Sequence, residues 1–200
     1  MSSVVAAAPD DTLWAVGYEL NFDDGSERGV NLDGGVVRHF DRNGKTLGAF
    51  VPRSSIEDIS HLSLQFSMLA ATADRVGWLH YDYKGKAHGA YVEISRDGNF
   101  ASYPLPEPRE PQPHYLLELG GMAITDSGDT FVVVKNRTNH VQSDFTLLAL
   151  NRSAGRWMPV RMVPAPAKAG EVLGSNGNEL AFWLSGSGYS TVHFFTPDKK

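Results

Sequence analysis

Apolar residues recur along the chain in runs of five to eight, rich in aromatic and β-branched side chains and cut by Gly, Pro, Asn and Asp. Helical spacing is almost absent. The pattern predicts many short strands. Residues 34–54, GGVVRHFDRNGKTLGAFVPRS, read as strand, turn, strand and stop, and this unit recurs. Its hairpin appears as HFDRNGKTLGAF, EISRDGNFASYPL, ALNRSAGRWMPV and FFTPDKK, with Phe40, Ile94, Leu150 and Phe195 in register. A second anchor is a turn entering an apolar strand, which aligns Trp14, Trp78, Val132 and Ala181 at spacings of 64, 54 and 49 residues. Asn43-Gly44 and Asp97-Gly98 are two-residue turn signals, because both central residues accept positive φ. Proline follows the last strand of each unit at Pro52, at Pro104 and Pro106, and at Pro164 and Pro166. It cannot donate a ladder hydrogen bond, so it ends strands.

These regularities predict one all-β domain over residues 1–200. It is a β-propeller of about four four-stranded blades, at roughly 3–53, 66–107, 121–164 and 170–200, partial or open. The last blade is expected to be incomplete, since it stops at the third-strand turn and no strand precedes Ser3-Val4 to supply a fourth. An open arc leaves apolar blade faces at Val4–Ala8 and Leu180–Phe195, a driving force for self-association, and two chains of four blades make an eight-bladed ring. The chain is otherwise a fragment of a longer propeller.

The hairpin residues Asp41, Gly44, Lys45, Leu47 and Phe50 form a D-x-x-G-K-x-L-x-x-F pattern. It resembles bacterial six-bladed propellers of the NHL and SMP-30/TolB-like kind. No WD dipeptide or kelch double-Gly signature is present. The resemblance implies a scaffold shared by many functions. It also implies one specific alternative, an SMP-30-like metal-dependent lactonase that holds a divalent cation with Glu, Asn and Asp from its inner strands. The candidate inner strands Val4–Ala8, Met68–Ala71, Met122–Thr125 and Val172–Gly174 carry no acidic side chain, with Glu171 at a margin, which stands against that alternative.

Composition narrows the function classes. With 42% hydrophobic and 20% charged residues the chain is globular. A net charge of −5 with scattered Lys and Arg argues against nucleic acid, whose phosphates require clustered cations. There is no cysteine, hence no disulfide or thiol chemistry. No apolar stretch reaches the length of a membrane span. MSSVVAAAPDD lacks the basic and long apolar regions of a signal peptide. An exported, periplasmic setting is expected only if the chain belongs to a longer propeller.

In a propeller, the turns joining strands one to two and three to four lie on one face. Here they are short and repetitive. The other connections are long and irregular, so the binding face is expected there. Five of the seven histidines, His61, His80, His88, His114 and His140, fall in or beside those connections. The candidate ligand-binding residues are therefore His80, Tyr81, Asp82, Tyr83, His88, His114 and His140. No H-x-x-H, H-E-x-x-H or EF-hand spacing supports a metal, and no phosphate loop or G-x-S-x-G elbow supports a cofactor or a serine nucleophile. The expectation is a non-catalytic interaction module for a protein, peptide or glycan, with no cofactor, no metal and no assigned catalytic residue.

Overall fold

The computed structural model describes residues 4–21, 31–50, 67–83, 87–106, 118–138, 142–163, 170–186 and 189–198. They form sixteen β-strands and, among the described residues, no helix. The fold is all-β, with about four propeller-type blades, each a four-stranded antiparallel sheet. The chain divides into two compact units of two sheets each.

In the first unit, β1 (Val4–Ala7), β2 (Leu13–Asn21), β3 (Asn31–Phe40) and β4 (Thr46–Phe50) form one meander. The second is β5 (Ser67–Ala71), β6 (Arg75–Tyr83), β7 (Ala87–Ser95) and β8 (Phe100–Tyr103). The first strands of the two sheets, β1 and β5, are neighbours, as inner strands of adjacent blades are. Between the sheets lies a core of Trp14, Val16 and Val37 from one side and Val76, Trp78, Ala90, Val92 and Ile94 from the other. Strand alternation produces this core, since every second residue of β2, β6 and β7 faces it.

The second unit contains β9 (Glu118–Ile124), β10 (Thr130–Thr138), β11 (Gln142–Asn151) and β12 (Arg156–Pro159), again a meander. Its last sheet has the order β13-β16-β15-β14. The strands β14 (Gly170–Asn176), β15 (Glu179–Gly186) and β16 (Tyr189–Asp198) supply three positions of this four-stranded sheet. The fourth position is filled from earlier in the chain by β13 (Arg161–Val163), which pairs Met162 with Pro197. Phe131, Val133 and Leu147 pack against Leu180, Phe182 and Phe195 in this unit's core.

The turns between third and fourth strands at Asn43-Gly44 and Asp97-Gly98 are one residue longer than their sequence signals imply. Asn43-Gly44 and Asp97-Gly98 do not form two-residue loops. Asp41 N–H bonds to the Lys45 carbonyl (2.9 Å) and Ser95 N–H to the Asn99 carbonyl (3.0 Å), so three residues lie between the closing partners. Only the glycines take positive φ there, at 80° and 81°. The Asp41 carboxylate explains the longer turn, since it accepts from the backbone N–H groups of Asn43 (2.8 Å) and Lys45 (2.9 Å). This is a turn followed by one left-handed residue that forms a bulge.

Turn closure also gives the correct correspondence between blades. The closing pairs are Ala8 with Thr12, Thr72 with Arg75, Thr125 with Asp129, and Asn176 with Glu179. Counting two residues on, Trp14 corresponds to Gly77, Phe131 and Ala181, while Trp78 corresponds to Ala15, Val132 and Phe182. Alignment of Trp14 with Trp78 is therefore one residue out, because the first turn of the second blade is one residue shorter. The two tryptophans lie on opposite faces of their own sheets and meet in one core.

Candidate functional site

Each blade has two unlike ends. At one end the short turns are locked together. In the first unit, Arg96 N–H donates to the Asp74 carbonyl (2.8 Å) and the Arg96 guanidinium pairs with Asp10 (3.8 Å). In the second, Asp126 N–H donates to the Gly177 carbonyl (3.0 Å), and Ser127 N–H to the Asn178 side-chain oxygen (3.2 Å). Ser175 Oγ also donates to the Ile124 carbonyl at 2.7 Å.

At the other end the described pairings reach different points, and the residues that adjoin β1, β4, β5, β9 and β14 there, 1–3, 51–66, 107–117 and 164–169, lie outside the described residues. β1 reaches only Val16 and β4 only Val37, whereas β2 and β3 pair on to Asn21 and Asn31. β9 reaches Lys135 and β12 Leu148, whereas β10 and β11 continue to Thr138 and Gln142. β15 and β16 run past Leu184, the last partner of β14, to Gly186 and Tyr189. In the second blade the last partner of β5 is His80, and β8 pairs with β7 only from Tyr91 onward. Tyr81–Tyr83 close β6 and His88 lies near the start of β7 at this end of the second sheet, while Gly89 and Ala90 are already buried.

The candidates taken from the sequence divide accordingly. Tyr81, Asp82 and Tyr83 in β6 and His88 in β7 share this one hairpin. His80 sits at its base, buried, with its ring 4.8 Å from that of Trp78. His114 and His140, like His61, lie outside the described residues. Among the described residues no group of three or more His, Cys, Asp or Glu is arranged to hold a metal ion. No helix among them is long and apolar enough to cross a membrane.

Two polar clusters were not apparent from the sequence. His39, the cross-strand partner of Trp14, stacks on it at 4.0 Å with an interplanar angle of 11°. Both rings are buried, and His39 Nε2 and Trp14 Nε1 have no hydrogen-bond partner among the described residues. Burial pushes the His39 pKa below its ordinary value. The Arg96 guanidinium adds to that, while Asp10 opposes it. Asp10 itself is held below the ordinary aspartate value: burial raises it, but hydrogen bonds from Thr12 and the charge of Arg96 outweigh that. In the second blade Tyr91 Oη donates to the buried Glu93 carboxylate (2.9 Å), which also faces Arg75 at 3.7 Å. The aromatic and acidic residues of these clusters sit within strand runs and look like ordinary core positions. The available signal was a polar residue inside an apolar run, His39 after Arg38 in VVRHF and Glu93 in YVEI.

No family model matches the chain, and no curated protein matches it.

Proposed function

We propose that the protein is a non-catalytic binding module that takes a protein, peptide or glycan at the ends of its blades opposite the short turns. One observation carries this reading: at one end of the blades the short turns are tied to one another, which leaves the opposite end, where the sequence places the long irregular connections, as the face for a ligand. Hairpin ribbons held on a rigid sheet offer side chains from both strands without the ordering cost of a free loop. As residue types, the tyrosines, histidine and aspartate that the sequence groups at residues 81–88 combine apolar area with hydrogen-bonding capacity. The likeness of the 41–50 hairpin to NHL and SMP-30/TolB-like propellers supports a scaffold role and leaves specificity to the connections.

The test uses printed peptide and glycan arrays as the probe. A variant carrying Tyr81→Ala, Asp82→Ala and Tyr83→Ala is compared with an Arg42→Ala, Asn43→Ala variant at the turn end. Features bound by the parent protein are expected to weaken at least ~10-fold in the hairpin variant and to persist in the turn variant, with thermal stability maintained in both. Loss in the turn variant alone, or no bound features at all, contradicts the proposal. Hydrolysis of a lactone by the protein with added calcium would put an enzyme in its place.

A further inference from the structure

His39 lies in the joint between the first two sheets, and its surroundings suit only one of its charge states. We term the face of the first sheet that carries Trp14 its forward face, and use the same term for the corresponding face of the other blades. Trp14, Val16 and Val37 on this face meet Val76 and Trp78 of the second sheet. His39 is opposite Trp14 in the β2–β3 ladder, so it shares the forward face, and it is buried. Its ring stacks on Trp14, and the Phe50 ring lies 6.0 Å from Trp14. Phe50 reaches both sheets. A Cβ on Gly48, the cross-strand neighbour of His39, would stand 2.7 Å from that ring, and one on Gly98 of the second sheet 3.0 Å.

The charges that act on His39 come one from each sheet: Asp10 on the β1–β2 turn and Arg96 on the β7–β8 turn. They pair with each other at 3.8 Å, across the joint. Asp10 also accepts from the Thr12 N–H (3.3 Å) and Oγ (2.6 Å). The neighbours of His39 on β2 and β4 are uncharged, as are the core residues that β6 and β7 supply. Arg38 is adjacent to His39 in β3, and Arg75 and Glu93 are adjacent to Val76 and Val92, so these three point to the opposite faces of their sheets. A neutral imidazole suits this site. A protonated one must donate from both ring nitrogens, yet Nε2 has no acceptor among the described residues. It would also set a second cation beside Arg96, with one carboxylate between them. A buried charge without a partner is costly.

We propose that His39 makes the joint between the first two sheets an acid-sensitive latch: protonation releases the Arg96–Asp10 pair and opens the turn end of the joint, while each sheet keeps its own strand pairing. The closed joint favours neutral His39, through burial and through Arg96. An opened joint returns the ring to water and to its ordinary value of 6.5. As pH falls through that value, the open form binds a proton that the closed form refuses. The open-to-closed ratio then rises by up to about tenfold per pH unit. The ladders of the two sheets are backbone pairings that do not use the imidazole, so the joint can open below the cost of global unfolding. This inference is independent of the proposed binding face, which lies at the opposite end of the blades.

The Trp14 indole N–H tests it by proton magnetic resonance on the full chain. This group has no acceptor among the described residues, so burial in the joint is what shields it from solvent exchange. Its exchange, relative to free indole at the same pH, is expected to quicken at least ~5-fold from pH 7 to pH 5. The ladder amides of β2 and β3 keep their protection. His39→Phe retains a ring on Trp14 and abolishes the quickening. His39→Gln, polar and uncharged, abolishes it too and guards against a poor fit of the larger ring; the ladder amides report whether each variant is folded. Arg96→Gln raises the midpoint of the His39 ring titration, which a packing role alone would leave in place. No quickening in the parent, equal quickening in both His39 variants, or an unmoved midpoint in Arg96→Gln overturns the proposal. Loss of ladder protection together with the indole also overturns it, since the whole unit then unfolds and there is no latch.

Discussion

Gly77 gives the sharpest energetic test of the blade register. It lies on the forward face of β6, at the position that Trp14 and Phe131 fill in other blades. There the Tyr91 ring takes the space a side chain would use. A Cβ on Gly77 would stand 2.8 Å from Tyr91 Cε2 and 2.9 Å from Cζ, and closer still to the hydroxyl. Tyr91 is fully buried, and its hydroxyl is tied to the Glu93 carboxylate. Gly77→Ala therefore forces a buried ring to move. Overpacking of this kind costs about 1–3 kcal/mol, and disturbing a hydrogen bond to a charged group costs about 1.5–3 kcal/mol. Against these stands about 0.5–1 kcal/mol gained by replacing glycine in a strand. The net expectation is a loss of about 2–4 kcal/mol, or roughly 5–15 °C in Tm for a chain of this size. Urea unfolding measures it, with Gly17→Ala as control, because nothing lies within 4 Å of a Cβ there. Adding Tyr91→Leu should recover part of the loss in a double-mutant cycle. A Gly77→Ala protein as stable as its parent would refute the register and the packing derived from it.

Two further outcomes follow from the first turn and from the buried histidine. Asp11 takes φ = 62° at the place where Gly44, Gly98 and Gly128 sit in equivalent turns, and a side chain there costs about 1–2 kcal/mol. Asp11→Gly should raise stability by about 0.5–1 kcal/mol after the entropy of glycine is set against that relief; thermal unfolding reads it. His39 has a folded pKa below its unfolded value near 6.5. As pH falls through that value, the unfolded chain binds a proton that the folded chain refuses, so stability declines by at most about 1.4 kcal/mol per pH unit. His39→Phe should keep the stack on Trp14 and flatten this part of the profile. Asp10 acts in a lower window. Its depressed pKa contributes stability present above its ordinary value of 3.8 and lost as pH drops through the folded value.

Much of the architecture was legible because strand signals are local. Apolar runs, glycine-bearing turns and strand-ending prolines each act within a few residues, so blade spacing could be read directly. What depended on counting across turns was harder. The first turn of the second blade has one residue fewer than that of the first, and this moves every side chain beyond it to the other face. Matching the conspicuous Trp14 and Trp78 therefore misassigned a face. The β13 strand, three residues between Pro159 and Pro164, is too short to show period-two alternation and becomes a strand only through β16. At the candidate site, the sequence pointed to Tyr81–Tyr83 and His88 through their clustering beside a connection. His39 escaped notice because cross-strand stacking on Trp14 is set by register.

Cross-strand Hα–Hα nuclear Overhauser contacts test the four-blade register most directly. The account expects antiparallel contacts between neighbours within each meander, including those that bring Leu69 opposite Trp78 and Met122 opposite Val132, and a separate set joining β13 to β16. Contacts that pair β4 with β5, helical sequential contacts within the apolar runs, or Trp78 opposite Ala70 would contradict it.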